Sequence, residues 1–164
     1  LYPEIPVLLQ QPHMDEAQRL EFLERFREDT EETLLGFCVL GGIYAEGIDL
    51  SGDRLIGTAI VGVGLPQVNW EQEILREYYK RTNGRGFQFA YQYPGMNKVL
   101  QAAGRVIRSP QDRGVILLID SRFEISDYRR LFPPHWNDAV SVRSAADLRE
   151  HLRRFWKKTP YLLS

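Results

Sequence analysis

Apolar residues fall in short blocks separated by amphipathic stretches, and the spacing within each block predicts its element. Ile5-Pro-Val-Leu-Leu-Gln10, Leu34 to Leu40, Arg54 to Val63 and Val115 to Ile119 have the length and continuity of buried strands, and Ala139 to Val142 is a weaker one. Asp15, followed three residues later by Gln18, opens a helix running to about Arg27. Leu20, Leu23 and Phe26 form its apolar stripe, and its glutamates face water. Asn69 to Arg81 predicts a second helix that buries Ile74, Leu75, Tyr78 and Tyr79, ending in the turn Thr82-Asn-Gly-Arg-Gly86. Pro94 suits the first position of a third helix reaching about Ile107, and Ser144 caps a basic final helix. Strands alternating with helices predict an α/β fold: a mainly parallel central sheet with helices on both faces. Such sheets place ligand sites beyond the carboxyl ends of their strands, here in the loops after Leu40, Val63 and Ile119.

Composition narrows the class. With 164 residues and 19.1 kDa, the chain predicts one domain, 1–164, in which 137–164 supply a closing strand and the basic C-terminal helix. Hydrophobic content of 43% and charged content of 26% exclude a disordered chain. Apolar runs such as Gly114 to Ile119 are far too short to span a membrane, and no secretory leader is present, so a cytoplasmic setting is expected. A single cysteine, Cys38, forms no internal disulfide and reads as a core residue in mid-strand; with three scattered histidines it makes no zinc set.

The net charge of −1 hides an asymmetry. Residues 1–75 carry −10, residues 76–113 carry +6 and residues 114–164 carry +3. The basic central block can attract phosphates although the whole chain is near neutral, with solvated helix faces as the simpler reading.

Two segments carry candidate chemistry. Gly41-Gly-Ile-Tyr-Ala-Glu46-Gly47-Ile-Asp49-Leu-Ser-Gly52 holds four glycines in twelve residues at a strand end. Glycines let backbone approach a ligand and offer N–H groups to phosphate, while Glu46 and Asp49 suit hydroxyls such as those of a ribose, or a basic partner. On the helix from Pro94, a turn of about 100° per residue gathers Met96, Val99, Leu100, Ala103 and Ile107 on one side. Gln101, Arg105 and Arg108 then share a sector of roughly 60° opposite them, beside Gly104. Two neighbouring guanidiniums repel unless an anion or carboxylate lies between them, and their planar forks match phosphate oxygens. Gly62-Val-Gly64 hints at a dinucleotide-binding oxidoreductase, but Gln67 replaces the third glycine and no fingerprint helix follows.

Gly42-Ile-Tyr-Ala-Glu46-Gly47-Ile-Asp49 resembles helicase motif V, and Gln101-Ala-Ala-Gly104-Arg105-Val-Ile-Arg108 resembles motif VI. With Asp112-Arg113-Gly114-Val115 and Asp120-Ser-Arg122-Phe123, they resemble the second RecA-like domain of superfamily-two DNA helicases of the DinG/XPD type. Tyr93-Pro-Gly-Met-Asn-Lys-Val-Leu-Gln101 and Leu131-Phe-Pro-Pro-His-Trp136 look more like the bacterial DinG relatives. The resemblance runs from about Gln10 to Trp136. It implies a three-layer RecA-like domain that meets an N-terminal RecA-like domain across ATP. Arg105 and Arg108 would act as arginine fingers, Gln101 would position the γ-phosphate or attacking water, and Gly47, Asp49 and Gly104 would border the nucleotide. Glu46, Gly64, Arg81 and Arg85 would face single-stranded DNA in repair or replication. A free-standing RecA-like interaction module is the non-catalytic alternative. No Gly-x-x-x-x-Gly-Lys-[Ser/Thr] loop or Asp-Glu-x-His box occurs, so the ATP and Mg2+ cradle is expected in the other domain, as are any iron–sulfur cysteines. The opening strand and helix of this domain are also expected to be missing, and the chain alone is expected not to hydrolyse ATP.

Overall fold

Four of the five predicted apolar runs form strands among the described residues, three of them shorter than the run and the fourth, Val115–Ile119, as predicted. A computed structural model describes residues 4–26, 32–46, 50 and 52–157, with backbone alone at 45, 46 and 53. Strand β1 (Val7–Leu9) pairs in parallel with β2 (Leu35–Phe37), and β3 (Gly57–Val61) pairs in parallel with β4 (Val115–Ile119). The parallel α/β class is therefore as expected. Among the described residues the four strands form two separate ladders, β1-β2 and β3-β4, where one central sheet was predicted. The chain divides into two compact units, Leu1–Leu131 and Phe132–Ser164.

In the first unit, helix α1 (Glu16–Glu24) starts at the predicted capping box: Gln18 N–H donates to Asp15 Oδ1 at 2.8 Å, and Asp15 N–H donates to Gln18 Oε1 at 3.0 Å. Its anchor is Phe22, which is buried and stacks on Tyr44, whereas Leu20 of the predicted stripe is exposed. Gly36 of β2 leaves room for the ring of Phe26, just past the end of this helix, since a Cβ there would lie 2.7 Å from Phe26 Cζ. Cys38, expected as a core residue in mid-strand, instead lies just past β2 and is exposed, although neighbouring atoms desolvate the thiol and raise its pKa.

Helix α3 (Trp70–Asn83) is capped by Asn69, whose Oδ1 accepts from Gln72 N–H, and it ends at the left-handed Gly84. It buries no residue fully: Ile74, Leu75 and Tyr78 are exposed, and Tyr79 is half-buried against the ring of Phe89. The predicted apolar face is thus uncovered in this chain. Gly86 lets the next segment turn back against α3, because a Cβ there would lie 2.2 Å from Arg76 O. Helical backbone resumes at Gly86, passes through a π turn at Gln88–Gln92 and continues as α4 (Tyr93–Ala103). Pro94 therefore does not start the helix. It has no N–H to give the ordinary intrahelical bond, and the π turn falls where that bond would break. Met96, Val99 and Ala103 of α4 lie in the core with Ile60, Val63, Ala90 and Val106.

In the second unit, Ala139 to Val142 is not a strand. All four residues are exposed, and Ala139 N–H bonds back to Trp136 O within a turn. The final helix (Ala145–Lys157) is capped as predicted, with Ser144 Oγ accepting from Asp147 N–H. Among the described residues no helix is long and apolar enough to cross a membrane.

Candidate functional site

The two ends of the Gly41–Gly52 loop lie against the residues that flank the arginine segment, Lys98 on one side and Asp112 on the other. Gly41 has a φ of +77°, and a Cβ built there would lie 2.7 Å from Lys98 Cδ on α4. Only glycine accepts that backbone cheaply while leaving room for the lysine stem. The loop after β3 closes on the same part of α4. A Cβ at Gly64 (φ +61°) would lie 3.0 Å from Gly95 O, and one at Gly95 would lie 2.5 Å from Val63 O. The chain leaving β2 and β3 at their carboxyl ends therefore converges around Gly95 and Lys98, as expected for ligand-bearing loops of a parallel sheet. At the far end, Gly52 N–H donates to the carboxylate of Asp112, four residues beyond Arg108.

Between these two fastenings the loop makes one helical turn, α2 (Ile43–Glu46), which places buried Tyr44 on Phe22 with ring centroids 4.5 Å apart. Glu46 ends that turn, and its side chain lies outside the described residues, as do Gly47 and Asp49.

The arginine segment departs from the predicted geometry. Helix α4 stops at Ala103, and Gly104 to Val106 tighten into a turn: Arg105 N–H donates to Ala102 O and Val106 N–H to Ala103 O, both at 3.2 Å. Gln101 is exposed on the last turn of α4, Arg105 is half-buried just past it, and exposed Arg108 stands on non-helical backbone. The shared 60° sector is therefore not formed by one helix. Pro110 holds Ser109 out of helical conformation, but it lies seven residues past Ala103 and does not itself set the end of α4. Asp112 also takes the N–H groups of Arg108 and Ser109, at 2.7 and 2.8 Å. Ile107, expected on the apolar face, is exposed, and Val106 is buried in its place. Val106 packs on Gly114, where a Cβ would lie 2.2 Å from Val106 Cγ1.

Asp112 is the residue that sequence reasoning missed as part of the site. Its signal was present: it is one of only two acids in the basic block. The N–H groups of Arg108 and Ser109, the Ser109 hydroxyl and the N–H of Gly52 hold its carboxyl below the ordinary aspartate value. Beyond β4, Asp120 grips Arg122 through two side-chain bonds of 2.9 and 2.8 Å, which lowers the carboxyl pKa and raises that of the guanidinium. Arg81 pairs with Glu77 on α3 at 3.0 Å, and Arg85 N–H donates to Asn83 Oδ1. These two arginines flank the Gly84 cap, Arg81 on α3 and Arg85 just past its end, away in sequence from the Gln101–Arg108 segment. Among the described residues no three acidic, histidine or cysteine side chains form a metal cluster.

Residues 2–139 match the family described as helicase C-terminal domain. The chain belongs to this family. It is 26% identical over 156 residues to the regulator of telomere elongation helicase 1 homolog of Caenorhabditis elegans, covering 90% of this chain and 15% of that protein. It is 32% identical over 126 residues to the ATP-dependent DNA helicase chl1 of Schizosaccharomyces pombe, covering 70% of this chain and 15% of that protein. The chain thus spans about 15% of the length of these curated relatives. A solved structure of apo XPD shares the fold, with a TM-score of 0.60 and 23% identity over 77% of this chain and 26% of that one. The likeness to apo XPD shows the fold, and the family shown is the helicase C-terminal domain. Neither the oxidoreductase nor the free-standing module is favoured.

Proposed function

We propose that this helicase C-terminal domain is one motor lobe of an ATP-dependent DNA helicase that moves along single-stranded DNA in the cytoplasm, in repair or replication. The observation that carries the reading is the double fastening of the Gly41–Gly52 loop, at Lys98 and at Asp112, to the segment bearing Gln101, Arg105 and Arg108. In this reading the two segments, which resemble nucleotide-facing motifs, form one surface toward ATP. In this reading an N-terminal RecA-like lobe holds ATP and Mg2+. The described residues offer no cation set, so no step assigned to this domain runs through the metal. Any iron–sulfur cluster likewise belongs to the rest of the protein.

The chemistry assigned to this lobe is electrostatic. As water attacks the γ-phosphorus and ADP leaves, charge spreads over the transferring oxygens, and the guanidiniums of Arg105 and Arg108 neutralise it. Gln101 orients the γ-phosphate or the attacking water, while Gly47, Asp49 and Gly104 border the nucleotide. Glu46 and Gly64 relay the state of the nucleotide to the DNA track, and Arg81 and Arg85 meet its phosphates.

A catalytic step divided between two lobes predicts that the isolated 164-residue chain does not turn over ATP, with or without single-stranded DNA. The full-length protein does. The check is phosphate release from a clean preparation of each, and DNA-stimulated turnover by the chain alone would overturn the reading.

A further inference from the structure

We propose that Asp112 is the positioning residue for Arg108, its carboxylate clamping the main chain of that arginine and the end of the Gly41–Gly52 loop in one grip. The inference rests on the proposed role of Arg108 and adds to it a residue that carries no catalytic charge of its own. Arg108 needs such support because of where it stands. Helix α4 has ended at Ala103, the following turn is anchored by buried Val106 against Gly114, and exposed Ile107 separates that anchor from Arg108. The regular bond ladder no longer fixes the backbone here. Asp112 Oδ2 takes its place by accepting from Arg108 N–H at 2.7 Å and from Ser109 N–H at 2.8 Å. The same carboxylate accepts from Gly52 N–H, across 60 residues of sequence. Bonds from backbone N–H to an ionised carboxylate are among the stronger neutral-to-charged kind.

Asp112→Asn keeps the size of the side chain and removes its charge. In the full-length protein it should lower kcat for ATP on the order of a hundredfold, the scale of a reacting group displaced by about an ångström, while KM for ATP changes little. The decisive comparison is the double variant. If Asp112 acts by placing Arg108, Asp112→Asn adds almost nothing to the loss already caused by Arg108→Ala. A purely structural role would multiply the two losses, and that result would overturn the proposal.

A second measurement needs no activity. In the isolated chain, the amide resonances of Gly52, Arg108 and Ser109 should move together in Asp112→Asn and exchange faster with solvent. Core amides such as that of Val99 should keep their shifts and protection. Unchanged amides at Gly52 and Arg108 in Asp112→Ala, which leaves no acceptor there, would show that the clamp does not exist. If Arg108→Ala leaves hydrolysis at the parent rate while the amides respond to Asp112→Asn, the clamp stands and the finger role of Arg108 fails, which separates the two ideas.

Discussion

Asp120 and Asp112 show how single carboxylates are put to structural use by different donors. Asp120 is held below the ordinary aspartate range mainly by the Arg122 side chain, and Asp112 mainly by the backbone N–H of Arg108. In both, the folded chain favours the ionised form. The stabilisation is therefore fully present above the unfolded-state pKa of about 3.9 and is lost as pH falls through the lower folded values. Urea unfolding midpoints of the isolated chain should hold from neutral pH to about pH 5 and then decline with acid. Asp120→Asn should flatten part of that decline, since one of the groups responsible no longer titrates. An acid profile identical to that of the unsubstituted chain would show that the Asp120–Arg122 pair contributes nothing to folding.

Elements were legible where local chemistry alone decides them, and less so where packing does. The Asp15 and Ser144 caps, all four major strand positions and the helix after Asn69 follow from side-chain bonds and periodicity that the sequence displays directly. The end of α4 does not, because it depends on Asp112 capturing backbone N–H groups from outside the helix. The apolar residues of α3 mark a face without saying what covers it, and in this chain Ile74 and Tyr78 remain exposed. Glycines were legible as loop markers but not as packing sites. Gly95 and Gly86 are the clearest cases, since in each an added Cβ would meet backbone that cannot yield: Val63 O at 2.5 Å and Arg76 O at 2.2 Å. Gly95→Ala and Gly86→Ala should each cost about 2–3 kcal/mol, by forcing α4 from the loop after β3 and the chain after Gly84 from α3. Gly57→Ala, whose Cβ would meet only Val115 O at 3.3 Å, should cost less. Denaturant midpoints of the three variants check the order, and equal losses would mean that the close approaches are not what these glycines serve.

For the whole molecule, family membership and fold are given by the match over residues 2–139 and by the likeness to apo XPD. The division of catalytic labour is the central claim that remains to be measured. The domain brings the glycine loop and the arginine segment together but carries neither a P-loop nor, among its described residues, a metal set. Its contribution to hydrolysis must then appear in the transition state more than in nucleotide affinity. The most direct measurement is a pair of titrations on the full-length protein carrying Arg108→Ala: ATP affinity at equilibrium and single-turnover hydrolysis. A transition-state role for Arg108 predicts an affinity close to that of the parent and hydrolysis slower by roughly a thousandfold or more, with Arg105→Ala behaving similarly and Arg81→Ala sparing hydrolysis. Hydrolysis at the parent rate in Arg108→Ala would contradict it, leaving that arginine no part in catalysis.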